Sequence, residues 1–240
     1  MIRSPLRRAL SLIGLAVSTT ACLPQAVTAQ GQDVAWLYYL FMLVAAGVFV
    51  LVAGLLAWSI VRYRGAPGRD VAMPPQSHGN MALEIAWWSL PTAIVVVLAL
   101  FTIGVLSQVD ARAEEPAVVV EVQGFQWGWE FTYPDAGVVV RGTAADPPTI
   151  QLPVGRDVAF VITSDDVVHS FNVPQFLIKR DAVPNRPNRF DVLIEQEGTY
   201  TGQCGEFCGL LHARQLFAID AVQPEAFEAW LQQQAAEQDR

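Results

Sequence analysis

Hydrophobic residues change their spacing three times along this chain. Leu10 to Val17 is a short apolar run behind Arg3, Arg7 and Arg8. It is too short to span a bilayer and has the layout of a secretory leader. No charged residue then occurs between Asp33 and Arg62, nor between Glu84 and Asp110. Each run exceeds the ~20 apolar residues needed to cross a membrane. The pattern predicts a leader over 1–29, membrane helices over 34–62 and 83–107, and a connecting loop over 63–82. Trp36, Tyr38 and Tyr39 mark one membrane interface, and Trp58 and Tyr63 the other. The loop carries Arg62, Arg64 and Arg69 around its start, which places it on the cytoplasmic side. Residues 107–240 are then exported. Pro91, near the start of the second span, is a kink site.

Two cleavage points fit the leader. A cut after Ala29 has Val27 and Ala29 as the small residues before it. A cut before Cys22 reads Thr-Thr-Ala21-Cys22 as a lipoprotein box, with Thr19 in place of the usual leucine.

Beyond residue 107 the period shortens to two, the mark of half-buried strands. Val118–Val122 and the aromatic alternation of Gly124–Tyr133 open the series. Val138–Arg141, Thr149–Leu152, Asp157–Thr163, His169–Val173, Arg189–Ile194, Thr199–Cys204 and Leu216–Val222 follow, with Gly or Pro in most gaps. The expectation is an all-β sandwich or barrel over 108–223. Pro224 then opens a helix to about residue 236, with Phe227, Trp230 and Leu231 on one face, within a tail over 224–240.

Composition sharpens this division. The chain is 52% hydrophobic with a net charge of −8. Residues 1–106 carry a net +3 and residues 107–240 a net −11. So acidic an exported domain repels nucleic acid and attracts basic protein partners. Three cysteines, Cys22, Cys204 and Cys208, are too few for a disulfide framework. No methionine lies beyond Met81.

The chemistry concentrates in one loop, Cys204-Gly-Glu206-Phe-Cys208-Gly-Leu-Leu-His212-Ala-Arg-Gln215, with His169 upstream in Asp166-Val-Val-His169-Ser-Phe171. One distant histidine followed by C-x3-C-x3-H places one ligand on a strand and three on a single loop, as in copper sites on β-sandwiches. Structural zinc gathers its ligands as close pairs, and a small-loop disulfide is open to an exported domain. Copper, zinc and a disulfide all stay open on spacing alone. Glu84, at the cytoplasmic start of the second span, is either an interfacial carboxylate reaching water or an ion entrance.

Five stretches together resemble subunit II of the haem–copper cytochrome c oxidases along nearly all of the chain after the leader. They are His78-Gly-Asn-Met-Ala-Leu-Glu84-Ile-Ala-Trp87, Gln126-Trp127-Gly-Trp129-Glu-Phe-Thr-Tyr133, Asp166–Pro174, Lys179–Arg186 and Gly198–Cys208. The resemblance implies a two-helix transmembrane hairpin carrying an exported cupredoxin-like β-barrel, in a bacterial-type inner membrane. It implies a binuclear copper centre, CuA, with Cys204 and Cys208 bridging and His169 and His212 each binding one copper. The carbonyl of Glu206 would be a weak ligand, and its carboxylate would face a magnesium ion at the boundary with subunit I. Trp127 matches the aromatic through which cytochrome c delivers its electron; as a plain core tryptophan, Trp129 fits better. Glu84 matches the carboxylate at the mouth of a proton pathway into subunit I. Asp135, Asp166 and Asp181 are docking acids for cytochrome c, or ordinary solvated surface.

Two positions depart from the family pattern. Gln215 stands where the family has methionine, and glutamine is a known alternative to the weak axial methionine of copper sites. Asn185 stands at a usual glycine; asparagine tolerates left-handed backbone, so the turn remains feasible. The implied activity is electron entry into a terminal oxidase that reduces oxygen and pumps protons. The rival readings are a copper-free quinol-oxidising relative, against which the four retained ligands argue, and an exported copper carrier or sensor with a mononuclear site.

Overall fold

The computed structural model describes residues 23–64, 76, 78–238 and 240. The leader's charged and apolar runs, Cys22 and most of the basic loop lie outside them.

Two long helices form where the charges stop. Helix α1 spans Ala29–Tyr63 and α2 spans Met81–Val109. Both run past the predicted bounds, because the backbone hydrogen-bond ladder continues for a few residues beyond the apolar run. Asn80 caps α2, its side-chain oxygen accepting from Leu83 N at 3.2 Å. The helix continues through Pro91. Within the unit Trp36–Gln108, Trp36 near the start of α1 meets Phe101 near the end of α2 edge-to-face at 5.5 Å. The helices are therefore antiparallel neighbours. Their large apolar side chains are exposed almost throughout, so neither is the core helix of a soluble protein. These are the membrane spans.

The second unit takes in the described residues up to Ala35 and Val109–Arg240. Its strands are β1 (Val118–Phe125), β2 (Gly128–Tyr133), β3 (Val138–Thr143), β4 (Thr149–Pro153) and β5 (Asp157–Ser164). They continue as β6 (His169–Val173), β7 (Ile178–Ala182), β8 (Asn188–Leu193), β9 (Gly198–Cys204) and β10 (Leu216–Val222). One sheet has the order β3-β2-β1-β5-β8 and the other β4-β10-β9-β6-β7. The β1–β5 and β4–β10 pairs are parallel and the rest antiparallel. This is the expected cupredoxin-like sandwich.

Two strand readings need correction. Gly124–Tyr133 is not one strand: the chain turns at Gln126–Trp127 and returns as β2, with Gly124 paired to Trp129. Alternation survives a tight turn, so the pattern carries no sign of it. Strand β7 is absent from the predicted series, because Lys179, Arg180 and Asp181 give it an outward polar face and little apolar signal.

The core between the sheets is aromatic. Phe171 stacks on Phe217 at 4.8 Å and Phe160 on Phe190 at 5.1 Å. Trp129, fully buried, meets Phe217 edge-on at 5.4 Å. Gly202 makes the Phe217 position possible: a Cβ there would fall 2.0 Å from the ring. Asn185 does adopt the left-handed conformation, at φ 57°. Helix α3 (Pro224–Gln238) closes one end, Trp230 lying edge-on to Tyr133 at 5.5 Å.

Candidate metal centre

Three strand ends converge on the site. Strand β6 begins at His169, β9 ends at Cys204, and β10 begins one residue after Gln215. The pairing Phe171↔Cys204 puts His169 and Cys204 at the same end of one sheet. Backbone bonds pin the loop at both sides: Gly205 N donates to Ser170 O at 2.9 Å, and Cys204 N to Gln215 O at 3.0 Å.

His169 Nδ1 lies 3.8 Å from Cys204 Sγ, the two sulfurs are 3.8 Å apart, and His212 Nδ1 lies 3.6 Å from Cys208 Sγ. The thiols are not bonded to each other; a disulfide needs about 2.05 Å. Two sulfurs on a common metal at ~2.3 Å and a near-tetrahedral angle sit about 3.8 Å apart. His169, Cys204 and Cys208 are buried with their ligand atoms within 4.8 Å of one another, and His212 flanks Cys208 on the half-buried side of the loop.

Orientation matters more than proximity. His169 Nε2 faces Asp166 Oδ1 at 2.8 Å. A carboxylate accepts, so Nε2 carries the proton and Nδ1 of the neutral ring presents a lone pair. Gln215 is fully buried, and its Nε2 donates to Gly128 O at 2.9 Å and Phe125 O at 3.2 Å. Those two carbonyls fix the amide, so its oxygen must point inward. There it stands 3.1 Å from His169 Nδ1 and 3.0 Å from Cys208 Sγ. Nδ1 and Oε1 thus lie at hydrogen-bond distance, a contact that a protonated ring makes through Nδ1–H and a neutral ring makes lone pair to lone pair. With the ring neutral and the thiols ionised, a cation between them would take the place of those protons, and two soft sulfurs complete the donor set. The residues present fit a metal.

The thiols differ. Burial opposes ionisation of Cys204, but contacts with His169, with the backbone at Ser170 and Glu206, and with His212 outweigh it and lower its pKa. Burial, then the neighbouring Cys204 charge, push Cys208 up. One negative charge resides easily in the pair; a second requires a cation alongside. Burial also opposes charge on His169, and contacts with Cys204 and Asp166 raise it overall. Asp166 is lowered against its own burial by His169 and by the Val167 and Gln126 amides.

The aromatic turn between β1 and β2 rests on this loop. Trp127 Nε1 donates to Cys208 O at 3.1 Å, and Gln126 Nε2 donates to the same oxygen at 2.7 Å. Gly209 leaves room for the indole: a Cβ there would lie 3.0 Å from Trp127 Cζ2. Gly124 does the same for His169, whose ring a Cβ would meet at 3.1–3.2 Å. Sequence reasoning misses Gln126, because its alternating neighbours give it the look of an outward strand residue.

The remaining residues sort by position. Glu206 directs its carbonyl to Cys204 Sγ at 3.2 Å, while its carboxylate pairs with Lys179. Asp181, opposite Ser170 on β7, lies 4.0 Å from Lys179 Nζ. Asp166 is held by Gln126 N at 2.7 Å and Val167 N at 2.6 Å as well as by His169, so it orients that ring whatever else it meets. Asp135 sits in a turn just past the far end of β2 from Trp127. The 6 residues of β2, or about 20 Å, separate it from the indole's turn, so it is not brought to the site. Glu84 lies in the first turn of α2, its amide bonded to Asn80 O at 2.9 Å.

Comparison with known proteins gives a consistent picture. Residues 16–105 match the family model "Cytochrome C oxidase subunit II, transmembrane domain", and residues 140–222 match "Cytochrome C oxidase subunit II, periplasmic domain". A probable cytochrome c oxidase subunit 2 of Streptomyces avermitilis is 34% identical, covering 95% of this chain and 88% of its own. A cytochrome c oxidase subunit 2 of Alkalihalophilus pseudofirmus is 33% identical, covering 96% and 69%. The solved periplasmic domain of subunit II of cytochrome oxidase from Bradyrhizobium japonicum is 28% identical, covers 52% of this chain and 99% of its own, and has a TM-score of 0.48.

Proposed function

The chain belongs to the cytochrome c oxidase subunit II family, and from that premise we propose that it is the electron-entry subunit of a terminal oxidase with a binuclear CuA centre. The observation that carries the reading is the inward-turned donor set: His169 Nδ1, both sulfurs and the clamped Gln215 oxygen, with His212 against Cys208. His169, His212, Cys204 and Cys208 would hold the copper, with Glu206 O and Gln215 Oε1 as weak ligands. Copper held there supplies a one-electron store in a frame of strand ends that moves little between redox states.

Trp127 is the entry residue in this reading. Its indole lies half-buried at the turn and hydrogen-bonds the carbonyl of Cys208, a short covalent path from a sulfur. A basic cytochrome c would be steered by the acidic surface, with Asp166 and Asp181 near the site. Asp135, past the far end of β2 from Trp127, has the weakest support of the three docking acids. Glu206's carboxylate, now paired with Lys179, would turn to magnesium at the boundary with a haem-bearing subunit I. Glu84 would open a proton pathway into that subunit. The positive-inside rule puts the β-domain on the periplasmic or extracellular face.

Copper analysis of the purified full-length chain tests the centre. Two coppers per chain with a mixed-valence EPR signal are expected. One copper would mark the mononuclear carrier reading, and none the quinol-oxidising one.

For the entry path, Trp127→Phe in the assembled oxidase is expected to slow cytochrome c oxidation at least ~10-fold, since it removes both the indole face and its bond to Cys208 O. The copper spectrum should stay nearly unchanged. An unaltered oxidation rate would move the entry point elsewhere.

A further inference from the structure

The sequence offers two leader cleavage points, and residues just upstream of α1 discriminate between them. Val27 is paired on both sides: its N donates to Gln175 O at 3.1 Å, and its O accepts from Glu195 N at 2.9 Å. Its side chain, 5% exposed, belongs to the β-domain core. Thr28 is fully buried and bridges Ile194. Its hydroxyl donates to Phe176 O at 3.2 Å and accepts from Gly31 N at 3.0 Å, which makes it the N-cap of α1. Gly31 fits beneath this cap so closely that a Cβ would lie 2.6 Å from Phe176 O. Gln30 Oε1 accepts from Leu193 N at 3.1 Å, and Gln32 bonds Glu195. Residues 27–32 are thus a strap of the sandwich, not a linker leading to it.

A cut after Ala29 would strip Val27 and Thr28 from this strap. Gln175 O, Glu195 N and Phe176 O would lose their partners. The cap would go, and the new ammonium group of Gln30 would sit at the positive end of the α1 dipole.

We propose that the strap is a permanent part of the mature protein and that the leader is removed upstream, at the Ala21–Cys22 bond, leaving Cys22 as the first residue. Thr19 and Ala21 supply small side chains three and one residues before that bond. The step is a hydrolysis: one water adds across the amide, Ala21 leaves with a carboxylate, and Cys22 gains a free amino group. Residues 23–26 then lead into a pairing segment that spans β-domain edges near Gln175 and Glu195.

Intact-mass and N-terminal peptide analysis of the full chain purified from its membrane tests this. A chain beginning at Cys22, with or without acyl mass on that residue, is expected. A first residue of Gln30, any other first residue, or an uncut chain overturns the proposal. A second measurement works without the terminus. Thr28→Ala is expected to lower the melting temperature of the detergent-solubilised chain by ~3–6 °C through loss of the cap. If residue 28 left with the leader, the same substitution would leave the melting temperature where it was, and that result also overturns the proposal.

Discussion

Cys208→Ser is expected to abolish the proposed binuclear centre while leaving the sandwich folded. Cys208 Sγ is the hub of the site: 3.8 Å from Cys204 Sγ, 3.6 Å from His212 Nδ1 and 3.0 Å from Gln215 Oε1. A serine oxygen is a hard donor and a weak bridge for copper. Cutting the hub also removes one of the two thiols that His212 contacts. Copper should fall to one or none per chain, the mixed-valence EPR signal should vanish, and cytochrome c oxidation should drop by ~100-fold or more. Loss of an outer-shell partner alone costs ~10–100-fold in metal affinity or activity, and Cys208 stands inside that shell. The side chain, on the loop after β9, is buried in the same core cluster as Trp129, Phe171 and Phe217, but serine nearly matches its size and leaves no cavity there. The melting temperature of the copper-free domain should therefore change by only a few degrees. A retained two-copper spectrum in the variant would refute the bridging role.

Much of this architecture is written in hydrophobic spacing. The membrane helices are legible because lipid demands long uncharged runs, and most strands because a sandwich buries alternate residues. The same rule explains the failures. β7 keeps only Ile178 and Ala182 inward and hides behind its charges. The turn at Gln126–Trp127 preserves alternation on both sides of a reversal. At the site, the candidate ligands are visible as residue types at characteristic separations. Their orientation is not, because it depends on partners distant in sequence. Asp166 sets the tautomer of His169 from three residues away, which a sequence can suggest. Gly128 and Phe125 set the amide of Gln215 across 87 and 90 residues, which it cannot. Asp135 shows the converse: its acidity is legible, but its distance from Trp127 follows only from the direction of β2.

Gln215→Met is expected to act on two properties that the structure separates. The amide oxygen is the harder donor and favours the oxidised metal, so a thioether in its place should raise the reduction potential of the centre. The amide nitrogen has a different role. It satisfies Gly128 O and Phe125 O from inside the domain, at 2.9 and 3.2 Å. A methionine has no donor, so both carbonyls lose that partner, and the buried Gly128 oxygen, left unsatisfied, costs about 1–3 kcal/mol. The variant should therefore hold a higher-potential centre in a less stable domain. A redox titration of the copper absorption reads the first effect, and thermal unfolding of the copper-free chain reads the second. A lowered melting temperature with an unmoved potential would make Gln215 a backbone clamp and not a ligand. A raised potential with unchanged stability would mean that the β1–β2 turn finds other donors once the amide is gone. The joint outcome is the expected one, because the two ends of a single amide face the metal loop and the aromatic turn. Those are the two elements that Trp127, through its bond to Cys208 O, also holds together.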